Sequence, residues 1–370
     1  MSEIRIIETL RNIPAESWNA CFANEVENYE YLLSIEEAGL KGFSWCYATA
    51  WQGSLLLAAM PAFLSDYALD TTLQGTSKKI TSAIASAFPN LLKVKLACLG
   101  SPCTEAGIIG FHPQLNVAEK EQLSHAMVAG FERYAEQHHC KLIGIKDIPE
   151  TVEAIWKPGI TALKYATLPG MPTASLEIDF ADMDTYMARL SYSTRKNMRR
   201  KMKEAEKVRI EVVHSLAEVL PQIMALYHDT RGRSEWQFEE LTEAYFQGVL
   251  VNMPNNAFCT LYYVGDQLLA ANLLVHNEHT LIDKFFCMNS EVGRDYNLYF
   301  LSWFTNIRFC LERGFKHYQS GQAYYENKVR LGSKLTRNHM YFKHRNVFAQ
   351  RILKLAAPLL SADETLDEAA

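Results

Sequence analysis

Residues 258–276 read FCTLYYVGDQLLAANLLVH. Two apolar runs flank the dipeptide Gly265-Asp266, a pattern that predicts an antiparallel hairpin. A third run, LIDKFFCMN, follows the polar break at Asn277–His279. Next comes NLYFLSWFTNIRFCLERGF, where Leu298, Leu301, Phe304, Ile307, Phe309 and Leu311 recur at helical spacing. Gly314 supplies the C-cap. The short strand HYQS and the polar, aromatic segment GQAYYENKVR close the unit at Arg330. The order is hairpin, strand, long helix, strand.

Working outward, the N-terminal half repeats that order. FSWCYATAWQGSLLLAAMPAFL reads as two strands, KVKLACLGSP as a third, AEKEQLSHAMVAGFERYAEQHHC as an amphipathic helix and KLIGIKDIP as the strand after it. The repeated order points to a degenerate internal duplication. Residues 75–92 read as a surface excursion with one helix. TASLEIDF is a strand leading out of the first half, and RNHMYFKHR is the final strand. The expected division is a first domain over 1–178, a second over 179–346 and an amphipathic helical tail over 347–370.

The segment from Gly321 carries a resemblance. Gly321 is followed by Tyr325-x-x-Lys328, and LSYSTRKNMRRKMKEAEK upstream carries Ser191, Arg195 and Arg199 at four-residue spacing. Residues 180–345 thereby resemble the GNAT acyltransferase superfamily, in its double-domain branch with the Fem-type aminoacyltransferases. The resemblance implies an α/β fold of two tandem GNAT-like domains, each a mixed, mostly antiparallel sheet flanked by helices. It implies N-acyl transfer to an amine.

The chemistry that follows needs a phosphate cradle, an oxyanion donor, a base and an acid. The cradle is expected at the N-terminus of the 298–313 helix, where free N–H groups and the helix dipole favour anions. Met288, Arg294, Asn297 and Tyr299 are the donor-site residues. The sequence lacks the Arg/Gln-x-x-Gly-x-Gly/Ala signature of ordinary GNAT enzymes. Asp283 or a water is the expected base and a strand N–H near Met288 the oxyanion donor. Tyr325 assists the leaving group, and Lys328 holds a carbonyl oxygen or carboxylate. Arg195, Arg199, Gln322, Tyr324 and Arg330 are expected to bind substrate. Strand alternation puts Asp283 and Lys284 on opposite faces.

Composition bounds the rest. The chain has 370 residues, 48% hydrophobic and 21% charged, with net charge −5. That balance argues against a general nucleic-acid binder. Eight scattered cysteines without a CxxC pair, and the absence of an apolar leader, favour a reducing cytoplasm. No run reaches the length of a membrane span. His138, His139 and Cys140 lack a second ligand pair, so no metal is expected. The loop GSPCTEAGIIGFHP, with Cys103, Glu105 and His112, is expected to line the cleft between halves. The favoured reading is transfer from acyl-coenzyme A to the amine of a small molecule or cell-envelope precursor. The alternatives are a Fem-like enzyme that uses aminoacyl-tRNA and a non-catalytic binding protein.

Overall fold

A computed structural model describes residues 2–68, 93–234 and 238–361. The predicted excursion at 75–92 and the acidic end lie outside them. The first half runs β1 (Glu3–Ile7), α1 (Ala15–Cys21), α2 (Tyr29–Glu37), β2 (Phe43–Gln52), β3 (Leu55–Ala68), β4 (Lys93–Leu99) and β5 (Gly110–Phe111). It continues with α3 (Val117–Gln137), β6 (Leu142–Pro149), α4 (Glu153–Ala162) and β7 (Ala166–Glu177). The second half begins with α5 (Met183–Arg189), α6 (Tyr192–Ala205), β8 (Arg209–Val213), α7 (Leu220–Gly232) and α8 (Glu243–Asn252). The hairpin β9 (Ala257–Val264) and β10 (Gln267–His276) turns at Gly265, whose φ of +57° suits glycine. Then come β11 (Thr280–Met288), α9 (Leu298–Arg313), β12 (His317–Gln319), α10 (Tyr325–Arg330), β13 (Lys334–His344) and α11 (Val347–Ser361).

The strands form one sheet in the order β1-β2-β3-β4-β6-β13-β7-β12-β11-β10-β9-β8, with β5 beside β3. Read from either end, the pattern is the same. Four antiparallel strands lead to a parallel pair, β4 with β6 or β11 with β12. The last strand of each half then sits beside the other half's parallel strand: β13 against β6, β7 against β12. The expectation of a separate sheet in each half is therefore corrected. Exchange of β7 and β13 closes the edges that separate sheets would leave open.

Helices cover both faces. Helices α3 and α4 bury Met127, Phe131 and Trp156 against the first half, and α5, α6 and α9 bury Tyr186, Met198 and Trp303 against the second. A third cluster belongs to both halves: Trp18, Tyr31 and Ile35 join Tyr227, Tyr245 and Val249. Within it the hydroxyls of Tyr31 and Tyr245 hydrogen-bond at 2.9 Å.

Candidate active site

Strands β11 and β12 pair only through Thr280–His317, Leu281–Tyr318 and Ile282–Gln319. Beyond Ile282 they part, and a cavity of about 660 Å³ opens in the gap. On the other side of β11 the register with β10 slips. Leu273 faces Phe285 and Leu274 faces Asp283, so Lys284 is the extra residue of a β-bulge. The bulge breaks strict alternation. Asp283 and Lys284 both line the cavity, contrary to the expectation that they would face opposite ways.

A buried acid–base cluster stands at the parting point. The Oδ2 of Asp283 accepts hydrogen bonds from Asn272 (3.1 Å), the Tyr318 hydroxyl (3.2 Å) and Asn306 (3.4 Å). Burial nevertheless pushes its carboxyl up to about 6. Lys328, buried on α10, donates to the carbonyls of Gly321 (2.6 Å) and Gln322 (3.3 Å). Burial pulls its ammonium down to about 8, against the pull of Glu105 and Asp283. Glu105 comes from the first half, on the loop after β4. It accepts from Gln319 Nε2 at 2.7 Å, and burial raises its carboxyl to about 7. Gly321, at φ +80°, is the meeting point. A Cβ there would lie 3.2 Å from Glu105 Oε1 and 3.8 Å from Lys328 Nζ. Lys284 is fixed separately, by Glu27, by the Cys103 carbonyl (2.9 Å) and over the Tyr31 ring.

Part of the lining is cationic. Lys201, Arg231, Arg233 and Arg294 line the cavity beside the start of α9. Lys201 donates to Asn297 Oδ1 at 3.2 Å and lies 3.9 Å from the Phe300 ring centroid. Arg233 pairs with Asp229 at 3.2 Å. Asn297 itself holds the N-cap position of α9 in the left-handed conformation, φ +54°. Gly293 is required before it, because a Cβ would meet the Asn289 carbonyl at 2.5 Å.

Of the residues expected from sequence, Asp283, Lys328, Gln322, Tyr324, Met288, Arg294, Asn297 and Tyr299 line this one cavity. Others do not. Tyr325 opens α10 with its hydroxyl donated to the Pro172 carbonyl at 2.9 Å, and the neighbouring Tyr324 lines the cavity instead. The Met288 N–H donates to Thr230 Oγ1 at 3.1 Å, which leaves it no proton for an oxyanion. Arg195 is held by the carbonyls of Met187, Ala188 and Leu190, and so caps α5. Arg330 is exposed beside Glu326, outside the cavity lining. Arg199 is exposed too. The reason is helical phase: at about 100° per residue, Lys201 borders the buried face of Thr194, Met198 and Ala205, while Arg199 points roughly 120° away.

The loop of Cys103 and Glu105 does line the cavity, whereas His112 does not. The Cys103 thiol is buried and its pKa pushed well up, so its carbonyl is the group in use. Lys201, Arg231, Arg233 and Glu239 escaped sequence reasoning. The phase of α6 was a legible signal for Lys201; the long-range approach of α7 and the loop after it had none. Among the described residues no group of His, Cys, Asp and Glu is placed to hold a metal, and no helix is long and apolar enough to cross a membrane.

Comparison with known proteins adds the following. A family model named FemAB-like, described as peptidoglycan biosynthesis/recognition, matches residues 9–355. The fold is similar to that of FemX, at 12% identity and TM-score 0.61, over 95% of this chain and 100% of that one. It is similar to a tandem GNAT protein from the clavulanic acid pathway, at 10% identity and TM-score 0.53, over 92% and 98%. A third likeness is to the C-terminal domain of a putative lysylphosphatidylglycerol synthetase from Agrobacterium fabrum, at 10% identity and TM-score 0.51, over 95% and 99%. Comparison with curated protein sequences gave no match. These likenesses show the fold: two tandem GNAT-like units of mixed, mostly antiparallel sheet flanked by helices.

Proposed function

The chain belongs to the FemAB-like family, and from that premise we propose that it is an aminoacyltransferase, carrying an aminoacyl group from aminoacyl-tRNA to an amine of a cell-envelope precursor. The observation that carries this reading is the meeting of Glu105 and Lys328 around Gly321, at the point where β11 and β12 part. The family description and the likeness to FemX support aminoacyl transfer over the acyl-coenzyme A reading drawn from composition.

The acceptor must lose a proton. Glu105, raised to about 7, is poised to take it near neutral pH. The amine nitrogen attacks the ester carbonyl carbon, a C–N bond forms, and the carbonyl electron pair moves to oxygen. An ammonium has three N–H donors; Lys328 spends two on Gly321 and Gln322, and in this reading the third serves the developing oxyanion. The C–O bond to the donor then breaks, and the proton held by Glu105 passes to the departing oxygen. Asp283, fixed by three donors, adds the negative charge that draws an ammonium toward the cavity; that ammonium gives one proton to solvent before it attacks, and Glu105 takes the second as the C–N bond forms. The cationic wall of Lys201, Arg233 and Arg294 takes the phosphate of the donor.

One observation keeps acyl-coenzyme A as a second donor. The start of α9 lies beside Lys201, and Arg294 lines the same cavity; a single nucleotide needs no broader basic surface. The test supplies labelled aminoacyl-tRNA and, separately, labelled acetyl-coenzyme A with a peptidoglycan-precursor peptide bearing a free amine. Transfer of label from aminoacyl-tRNA is expected. Transfer from acetyl-coenzyme A alone would replace the donor, and transfer from neither would overturn the enzymatic reading.

A further inference from the structure

The sheet's internal symmetry gives the first half its own copy of the parting point. Strands β4 and β6 pair up to Leu99–Ile145, as β11 and β12 pair up to Ile282–Gln319. Two residues beyond each last pair stand Asp147 and Gly321. Both have positive φ, +46° and +80°. The positions are counterparts, but their contents differ. Gly321 leaves room for the Glu105 carboxylate and the Lys328 ammonium. Asp147 fills its copy with a charge, paired to Lys146 at 2.5 Å.

That pair is tightly held. Asp147 is 4% exposed in a backbone conformation that disfavours a side chain. Gly170 gives way to it, since a Cβ there would lie 2.4 Å from Asp147 Oδ1. Its carbonyl accepts from the Gly107 N–H at 2.8 Å, and a Cβ on Gly107 would collide with the Lys146 carbonyl. The Lys146 ammonium reaches on to the Thr104 carbonyl at 2.8 Å. Thr104 and Gly107 bracket Glu105. The loop is therefore clamped on both sides of its carboxylate by residues of the first half's filled site.

We propose that the Lys146–Asp147 ion pair is a positioning device: the filled site of the first half sets Glu105 in the cavity of the second. In its turnover arm this rests on the transfer reading above. The pair does not touch the cavity's reacting groups; it acts through Glu105.

Removing Lys146 alone strands a buried carboxylate and destabilises the fold as a whole. The test variant is therefore Lys146→Met with Asp147→Asn, which removes both charges and keeps a residue that tolerates positive φ at 147. Amide hydrogen exchange in this full-length variant needs no substrate. Exchange at residues 101–107 should quicken about tenfold with the rest of the sheet unchanged. Turnover is then compared in two backgrounds. The double change should cost about tenfold in kcat in the parent and nothing further when Glu105→Gln is present. Unchanged exchange overturns the proposal. So does an equal kcat cost in both backgrounds, which marks a general structural effect. A parent inactive with both donors fails the transfer reading instead, and exchange alone then decides whether the pair positions the loop.

Discussion

Asp283 and Lys284 are neighbours in one strand and face the same cavity, because Lys284 is the unpaired residue of the bulge opposite Leu273 and Leu274. The bulge gives them different tasks. Asp283 stays in the second half, held by Asn272, Asn306 and Tyr318. Lys284 reaches across to Glu27 and the Cys103 carbonyl of the first half.

Lys284 should therefore matter for stability before it matters for chemistry. Lys284→Met leaves Glu27 buried without its cation, an expected loss of about 3–5 kcal/mol. Thermal unfolding measures it. A melting temperature within a degree or two of the parent's would show that the pair does not hold the two halves together.

Lys328 and Tyr325 separate in the opposite sense. Lys328→Met should lower kcat by at least about tenfold, because its ammonium lines the cavity beside Glu105 and Asp283. Tyr325→Phe loses the hydrogen bond to the Pro172 carbonyl and should cost about 1 kcal/mol of stability with turnover near the parent's. Equal kcat losses in the two variants would return Tyr325 to the site.

Local patterns made much of this fold readable. The hairpin at Gly265, the phased apolar residues of α9 and the cap at Gly314 are all short-range signals, and each element lies where they put it. Tyr-x-x-Lys located Lys328 but could not say which tyrosine faces inward, since that turns on the left-handed conformation of Tyr324 just ahead of α10. The exchange of β7 and β13 is a pairing between halves, and nothing in either strand's own sequence distinguishes the partner's sheet from its own. The bulge at Lys284 is likewise set by register with β10, so alternation misplaced one side chain.

Charge burial makes a pH prediction. Glu105 rises from 4.5 to about 7 and Asp283 from 3.8 to about 6, both through burial. In those windows the folded state binds more protons than the unfolded, so their contribution to stability falls as pH rises through them. Lys328 is lowered from 10.5 to about 8, so its contribution rises with pH between those values. Glu105→Gln should raise the melting temperature at pH 8, where the parent must bury a carboxylate, and leave it unchanged at pH 4. Equal melting curves at both pH values would mean that Glu105 is not held in a desolvated state.

The cationic wall gives the last prediction, and it divides one helix. Helix α6 carries Arg195, Arg199 and Lys201, but only Lys201 lines the cavity, donating to Asn297 at the start of α9. Arg195 is occupied by three carbonyls of the preceding segment. A phosphate-bearing donor seated on the wall would release counterions as it binds, so its affinity would fall with salt in proportion to the cations it meets. Lys201→Glu and Arg294→Glu should each weaken donor binding and flatten that salt dependence. Arg199→Glu should leave both near the parent's, and Arg195→Ala should lower the melting temperature by removing the cap on α5. Titration of the donor at three salt concentrations reads the three charge reversals, and thermal unfolding reads Arg195→Ala. If Arg199→Glu weakens binding as much as Lys201→Glu, the donor lies along the outer face of α6 and the cavity wall is not its phosphate site.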